Sequence, residues 1–111
     1  MIQPGCAEAD GRSVFDAVSN ATRREILLVL LEAEEAGTPE LSVSVIAARA
    51  GIVRPLASRH LGVLLTVGAV SVRRVRTFSY YTVDSSALTA IEDWLLPFLE
   101  SAERSSARRL A

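Results

Sequence analysis

Arg54 and Ser58 stand one helical turn apart, Gly62 follows after another turn, and Arg59 flanks them; Arg73, Arg74 and Arg76 come soon after. Guanidinium groups at this density suit phosphate oxygens, and an arginine near the start of a helix also matches the paired acceptors on a guanine edge. These arginines belong to a larger anomaly. Residues 41–83 contain six arginines (Arg49, Arg54, Arg59, Arg73, Arg74, Arg76) and no Asp or Glu, although the 111-residue chain has a formal charge of −1. A phosphate backbone responds to local charge, so an acidic overall balance does not prevent a basic block from serving it.

Other chemistries lack their parts. The chain has no glycine-rich phosphate loop and no GxSxG turn, and its single histidine, His60, has no Cys or Ser nucleophile with an orienting acid, so an enzyme is not expected. One histidine and one cysteine cannot make a four-ligand zinc site of nitrogen and sulfur within a subunit, and no cofactor is predicted. A non-standard metal site made by carboxylates, His60 or the N-terminal arm across a dimer is the alternative. Cys6 excludes an internal disulfide and fits a reducing, cytoplasmic setting. An inert exposed thiol is expected there, with a redox or metal-sensing role as the other reading. The longest apolar run, residues 26–31, falls far short of the roughly 18–20 needed to span a membrane. No signal peptide is evident.

The elements that must position the arginines can be read from periodicity and caps. Residues 1–12 read as a flexible arm, residues 13–100 as one domain, and residues 101–111 as a polar tail that frays. A short helix starts near Ser13 with Val14, Phe15 and Val18 on its apolar side. Asn20 caps a second helix over residues 21–36, closed by Gly37, with Ile26, Leu27, Leu30 and Leu31 inward. Ser42 caps a third helix whose inward residues are Val45, Ile46 and Ala50, with Gly51 closing it. A fourth helix follows, with Pro55 in its first turn and Gly68 at its end. Val53, Ala57, His60, Leu61 and Leu64 project to its inner side, and Arg54, Ser58 and Gly62 to its outer side. Helix, glycine-containing turn, helix is the helix-turn-helix arrangement. Val70, Val72, Phe78, Tyr80 and Val83 then predict two short strands with residues 74–77 at the tip, although that tip has no Gly, Asn or Asp to ease a tight turn. Asp84 caps a last helix whose Leu88, Ile91, Trp94, Leu95, Phe98 and Leu99 recur at helical spacing. Pro97 should kink or split it. The expected fold class is mainly α with a small β-hairpin, an α+β arrangement.

The stretch NATRREILLVL at residues 20–30, the SRHL at residues 58–61 and the hairpin ending in Tyr80 and Tyr81 closely resemble the winged helix-turn-helix regulators of the ArsR/SmtB family. The resemblance runs from about Phe15 to Phe98. It implies a recognition helix in the major groove, a two-stranded wing along the backbone, and a symmetric homodimer paired through the first and last helices. On that basis Arg54, Ser58, Arg59, His60, Arg73, Arg74 and Arg76 are the expected contacts to double-stranded DNA. Val14, Phe15, Leu88, Ile91, Trp94, Leu95 and Phe98 are the expected dimer interface; an apolar effector within that interface is the alternative for the last helix. His60 also projects to the margin of the core, where a packed or capping role competes with a DNA contact.

The chain departs from the family in its sensor. Many relatives carry two cysteines in a metal box before the recognition helix, and the same places here are Ser42 and Ser44, poor ligands for soft ions. The family's small polar cap on the recognition helix is replaced by Val53. The resemblance implies a DNA-binding transcriptional regulator, most simply a repressor acting on a palindromic operator and lacking the usual metal box. A partner-controlled activator, a separate sensor or co-regulator protein, or a winged-helix module that docks on an acidic protein are the competing readings.

Overall fold

The computed structural model describes residues 14–110. The expected arm at residues 1–12 with Cys6, the helix start at Ser13, and Ala111 lie outside the described residues. Residues 14–18 are helical (α1). They are followed by α2 (Ala21–Glu35), β1 (Leu41–Ser42), α3 (Val43–Ala50), α4 (Arg54–Thr66), β2 (Val70–Val75) and β3 (Phe78–Val83). A 3-10 turn, Ser85–Leu88, leads into α5 (Thr89–Leu110).

Local chemistry sets the helix ends. The Asn20 side chain accepts a hydrogen bond from the Arg23 backbone N–H at 3.0 Å, which satisfies one of the unpaired donors of the first turn of α2. Ser42 does the same for α3 through the Val45 N–H at 3.3 Å. Gly51 ends α3 in the left-handed region at φ 72°, a conformation that costs a residue with a Cβ but not glycine. That reversal turns the chain from α3 into α4.

The core forms where α2, α3 and α4 meet the sheet. Ile26, Leu30, Ile46, Leu61, Leu64 and Val70 are its largest fully buried side chains. No polar or charged side chain is buried among the described residues. The inner side of α3 is Val43, Ile46 and Ala47, not the expected set with Val45, which is 38% exposed. Val43, the first residue of the helix, is itself buried, and Ile46 and Ala47 follow it at three- and four-residue spacing, which leaves Val45, two residues on, away from that stripe. Leu31 is half-buried, and Val29 and Ala33 complete the buried side of α2.

The hairpin forms with the two-residue turn Arg76-Thr77, since Val75 pairs with Phe78 and Val70 with Val83. It is part of a three-stranded antiparallel sheet, order β1-β3-β2, in which Leu41 pairs with Tyr81 and Ser42 with Tyr80. Asp84 caps the 3-10 turn rather than α5 itself, accepting from the Ser86 N–H and hydroxyl.

Two expectations for the C-terminal region are corrected. The last helix is not split at Pro97, which lies inside α5, and residues 101–110 continue the helix instead of fraying. Pro97 removes one backbone donor. Asp93, whose carbonyl loses that donor, is on an exposed stretch, so the lost bond is not buried.

Candidate nucleic-acid interface

The outer side of α4 presents Arg54, Ser58, Arg59 and Gly62, all exposed. A Cβ added at Gly62 would meet nothing within 4 Å, so the glycine keeps this stretch of helix low against an approaching surface. Pro55 stands in the first turn, and the Leu56 and Ala57 N–H groups both donate to the Val53 carbonyl at 3.1 Å. Val53 is the N-cap with no side-chain hydrogen bond and is 68% exposed, so it leaves the inner side to Ala57, Leu61 and Leu64.

Between the starts of α3 and α4 and the wing lies a cleft of about 360 Å³, lined by Ser42, Ser44, Arg54, Ser58, Arg74 and Tyr80 among others. The two guanidinium groups and the hydroxyls can donate to anionic oxygens. Arg74 also donates to the Ser79 hydroxyl at 2.9 Å. Arg76 sits at the wing tip at φ 58°, the only positive-φ residue other than glycine among those described. The structure thus brings together Arg54, Ser58 and Arg74, with Arg59 and Arg76 exposed at the margins.

Arg73 and His60 stand apart from this group. Arg73 donates from Nε and Nη2 to the two carboxylate oxygens of Glu40, at 2.7 and 2.8 Å, and its guanidinium lies 5.4 Å from the centre of the Tyr80 ring. The same hydrogen bonding holds the Glu40 carboxyl below its usual range and raises the Arg73 guanidinium further. His60 is half-buried on the inner flank of α4, with Nδ1 3.3 Å from Arg23 Nη1. Burial and then the charges of Arg23 and Arg59 push its pKa down. Arg23 is always protonated and can only donate, so His60 Nδ1 accepts and its proton sits on Nε2.

Arg23 was not singled out from sequence. It also donates from Nε to the Ala17 carbonyl at 2.7 Å and from Nη2 to that of Asp16 at 3.2 Å, while Arg24 donates to the Val18 carbonyl at 2.7 Å. These two arginines satisfy the carbonyls at the end of α1 and tie that helix to α2.

On the other side of the fold, Phe15 packs edge-on against Trp94 at 5.8 Å and Trp94 lies 4.8 Å from Phe98, between ring centres. Trp94, Leu95, Leu96, Phe98 and Leu99 are exposed. A groove of about 520 Å³ beside them is lined chiefly by Leu27, Leu28, Leu31, Leu88, Ile91 and Leu95. Val14, expected at a pairing surface, is buried within the subunit. Among the described residues no three of His, Cys, Asp and Glu are grouped as metal ligands, and no helix is long and apolar enough to cross a membrane.

A family model described as a helix-turn-helix domain matches residues 18–73, which span α2 to α4 and β2 as far as Arg73. The transcriptional repressor SdpR of Bacillus subtilis is 30% identical over 91 residues, covering 82% of this chain and 94% of that protein. Among solved structures, an ArsR-like transcriptional regulator from Rhodococcus sp. is 27% identical, with a TM-score of 0.65, and 95% of each chain is covered. HlyU from Vibrio cholerae is 27% identical with a TM-score of 0.61, covering 83% of this chain and 94% of that one. Helix order, sheet and sequence agree, and the chain belongs to the ArsR family of winged helix-turn-helix, DNA-binding transcriptional regulators.

Proposed function

We propose that this protein is a sequence-specific repressor that binds an imperfect palindromic operator as a homodimer. The observation that carries the reading is the convergence of Arg54, Ser58 and Arg74 on one cleft between the recognition helix and the wing. In this reading Arg54 and Ser58 meet base edges in the major groove, and Arg59, Arg74 and Arg76 meet phosphates. His60 acts from behind, by fixing α4 to Arg23, and does not touch DNA. The dimer forms through α5 with Phe15, because Trp94, Leu95, Leu96, Phe98 and Leu99 are all exposed along that helix and contiguous exposed apolar side chains favour association. Val14 supports that surface from beneath. We assign no resident metal: Ser42 and Ser44 occupy the places of the thiolate ligands, and they line the DNA-facing cleft. Control by a separate sensor or co-regulator protein fits this better than direct metal sensing.

Footprinting on the promoter regions bound by the protein tests the reading. Two protected half-sites about one helical turn apart, near 34–36 Å, are expected from a two-fold dimer. A single uninterrupted half-site, or no protection, would overturn it.

A further inference from the structure

Glu40, just before β1, and Arg73, on β2 of the wing, form an ion pair, and neither lines the cleft. Its placement follows from the sheet. Arg73 pairs with Tyr80 across β2 and β3, and Ser42 pairs with Tyr80 from the other side, so Tyr80 lies between Arg73 and the strand that Glu40 precedes. Arg73 crosses the Tyr80 ring to reach the carboxylate, and both ends of the contact are specified: two hydrogen bonds at one end, a ring face along the way. Successive residues of a strand point to opposite faces, so Arg74 leaves β2 on the other side and lines the cleft with its cross-strand partner Ser79 and with Arg54, while Tyr80 borders both the cleft and Arg73. Glu40 stands one residue before the acid-free block and neutralises one of its six arginines.

A guanidinium already neutralised by a carboxylate displaces few of the counterions condensed on DNA, and the sequence-independent part of DNA affinity is built from such releases. Were a phosphate to take Arg73, Glu40 would be left facing the DNA backbone unpaired. We propose that Glu40 is an attenuator of DNA affinity: by holding Arg73 in a two-point ion pair over Tyr80, it withholds one wing charge from the phosphate backbone and so limits binding to unrelated sequence. This rests on the DNA-binding face assigned above.

The test is the salt dependence of binding to a random-sequence duplex, with the full chain, for wild type, Glu40→Gln, Arg73→Ala and the double variant. Thermal unfolding of each verifies that all remain folded. With Glu40→Gln, the slope of log K against log salt should steepen by about 0.9, one phosphate contact, and affinity at about 0.1 M salt should rise roughly 5- to 10-fold. Arg73→Ala alone should leave the slope close to wild type, and in the Glu40→Gln background it should abolish the gain. A purely structural pair would shift unfolding without this dependence on Arg73. If wild type binds with a measurable slope that Glu40→Gln leaves unchanged, or if Arg73→Ala alone flattens the slope by about 0.9, the attenuator role is wrong while the DNA-binding face stands. If neither wild type nor Glu40→Gln binds duplex at any salt, both fall.

Discussion

Arg23 Nη1 lies 3.3 Å from His60 Nδ1, which joins the first turn of α2 to the inner flank of the recognition helix. The contact needs a neutral imidazole, because a protonated one has no acceptor to offer and would face Arg23 and Arg59 as a third positive charge. The His60 pKa is lowered from its ordinary 6.5 by burial first and by these two arginines next. As pH falls, the unfolded chain therefore takes up the proton before the folded one does, and stability declines. The contribution is fully present above pH 6.5 and is lost as pH drops from there toward the folded-state value. Thermal midpoints measured between pH 7.5 and 5.5 should fall for wild type more than for His60→Asn, whose side-chain oxygen can keep accepting from Arg23 without titrating. Identical pH profiles for the two would remove His60 from this role.

Val53 has the backbone of an N-cap and no side-chain oxygen to use it, with φ −76° and ψ 152°. Val53→Thr keeps the shape and adds a side-chain acceptor for the Leu56 N–H, the third position of α4, since Pro55 at the second has no N–H to give. It should stabilise the protein by about 0.5–1 kcal/mol, seen as a higher urea midpoint at an unchanged m-value. A lower midpoint would mean that the first turn of α4 is held in some other way.

Arg76 turns the wing at φ 58°, where a side chain is strained. Arg76→Gly should relieve that strain and raise stability by up to about 1 kcal/mol, net of the entropy glycine gives the unfolded chain. The same change deletes a wing charge, so the salt slope of duplex binding should flatten by about 0.9. Opposite signs in one variant separate the two roles. Loss of stability would show that the turn depends on the arginine side chain.

Much of this was legible in sequence, and what was missed has physical causes. Asn20, Ser42, Gly51 and Gly68 mark helix ends because capping and left-handed backbone select those residue types. The hairpin strands show in alternation, and Arg54, Ser58 and Gly62 project outward as helical geometry requires. β1 was invisible because two residues, Leu41 and Ser42, carry no period; its pairing with β3 is what brings Glu40 to Arg73. Arg73 is neutralised by an acid thirty-three positions away, a pairing that local charge along the chain does not reveal. Arg23 looked like an ordinary polar residue of α2, because its three contacts are all to groups outside that helix. Pro97 does not split α5, because the Asp93 carbonyl that loses its partner is on an exposed stretch.

Base readout and phosphate contact should separate by mutation. Arg54→Ala and Ser58→Ala should relax preference at particular base pairs, at about 1–3 kcal/mol per good contact, whereas Arg74→Ala should weaken operator and random duplex alike. Competition binding against single-base operator variants distinguishes the two outcomes. A uniform loss from Arg54→Ala would move that residue into the phosphate-binding group.

Trp94 is 58% exposed, touches Phe15 and Phe98 within the subunit, and stands in the middle of the apolar side of α5. A residue so placed can carry a dimer contact without being needed for the core formed by α2, α3 and α4. Trp94→Arg should therefore leave the far-ultraviolet circular dichroism signal close to wild type while shifting sedimentation from dimer to monomer at micromolar concentration. Each half-site would then bind independently, and operator affinity should fall by the effective-concentration advantage of linked binding, on the order of 100-fold or more. Affinity for a single half-site should change little, because Arg54, Ser58 and Arg74 lie away from α5. A variant that stays dimeric and keeps full operator affinity would place the pairing surface elsewhere on the molecule.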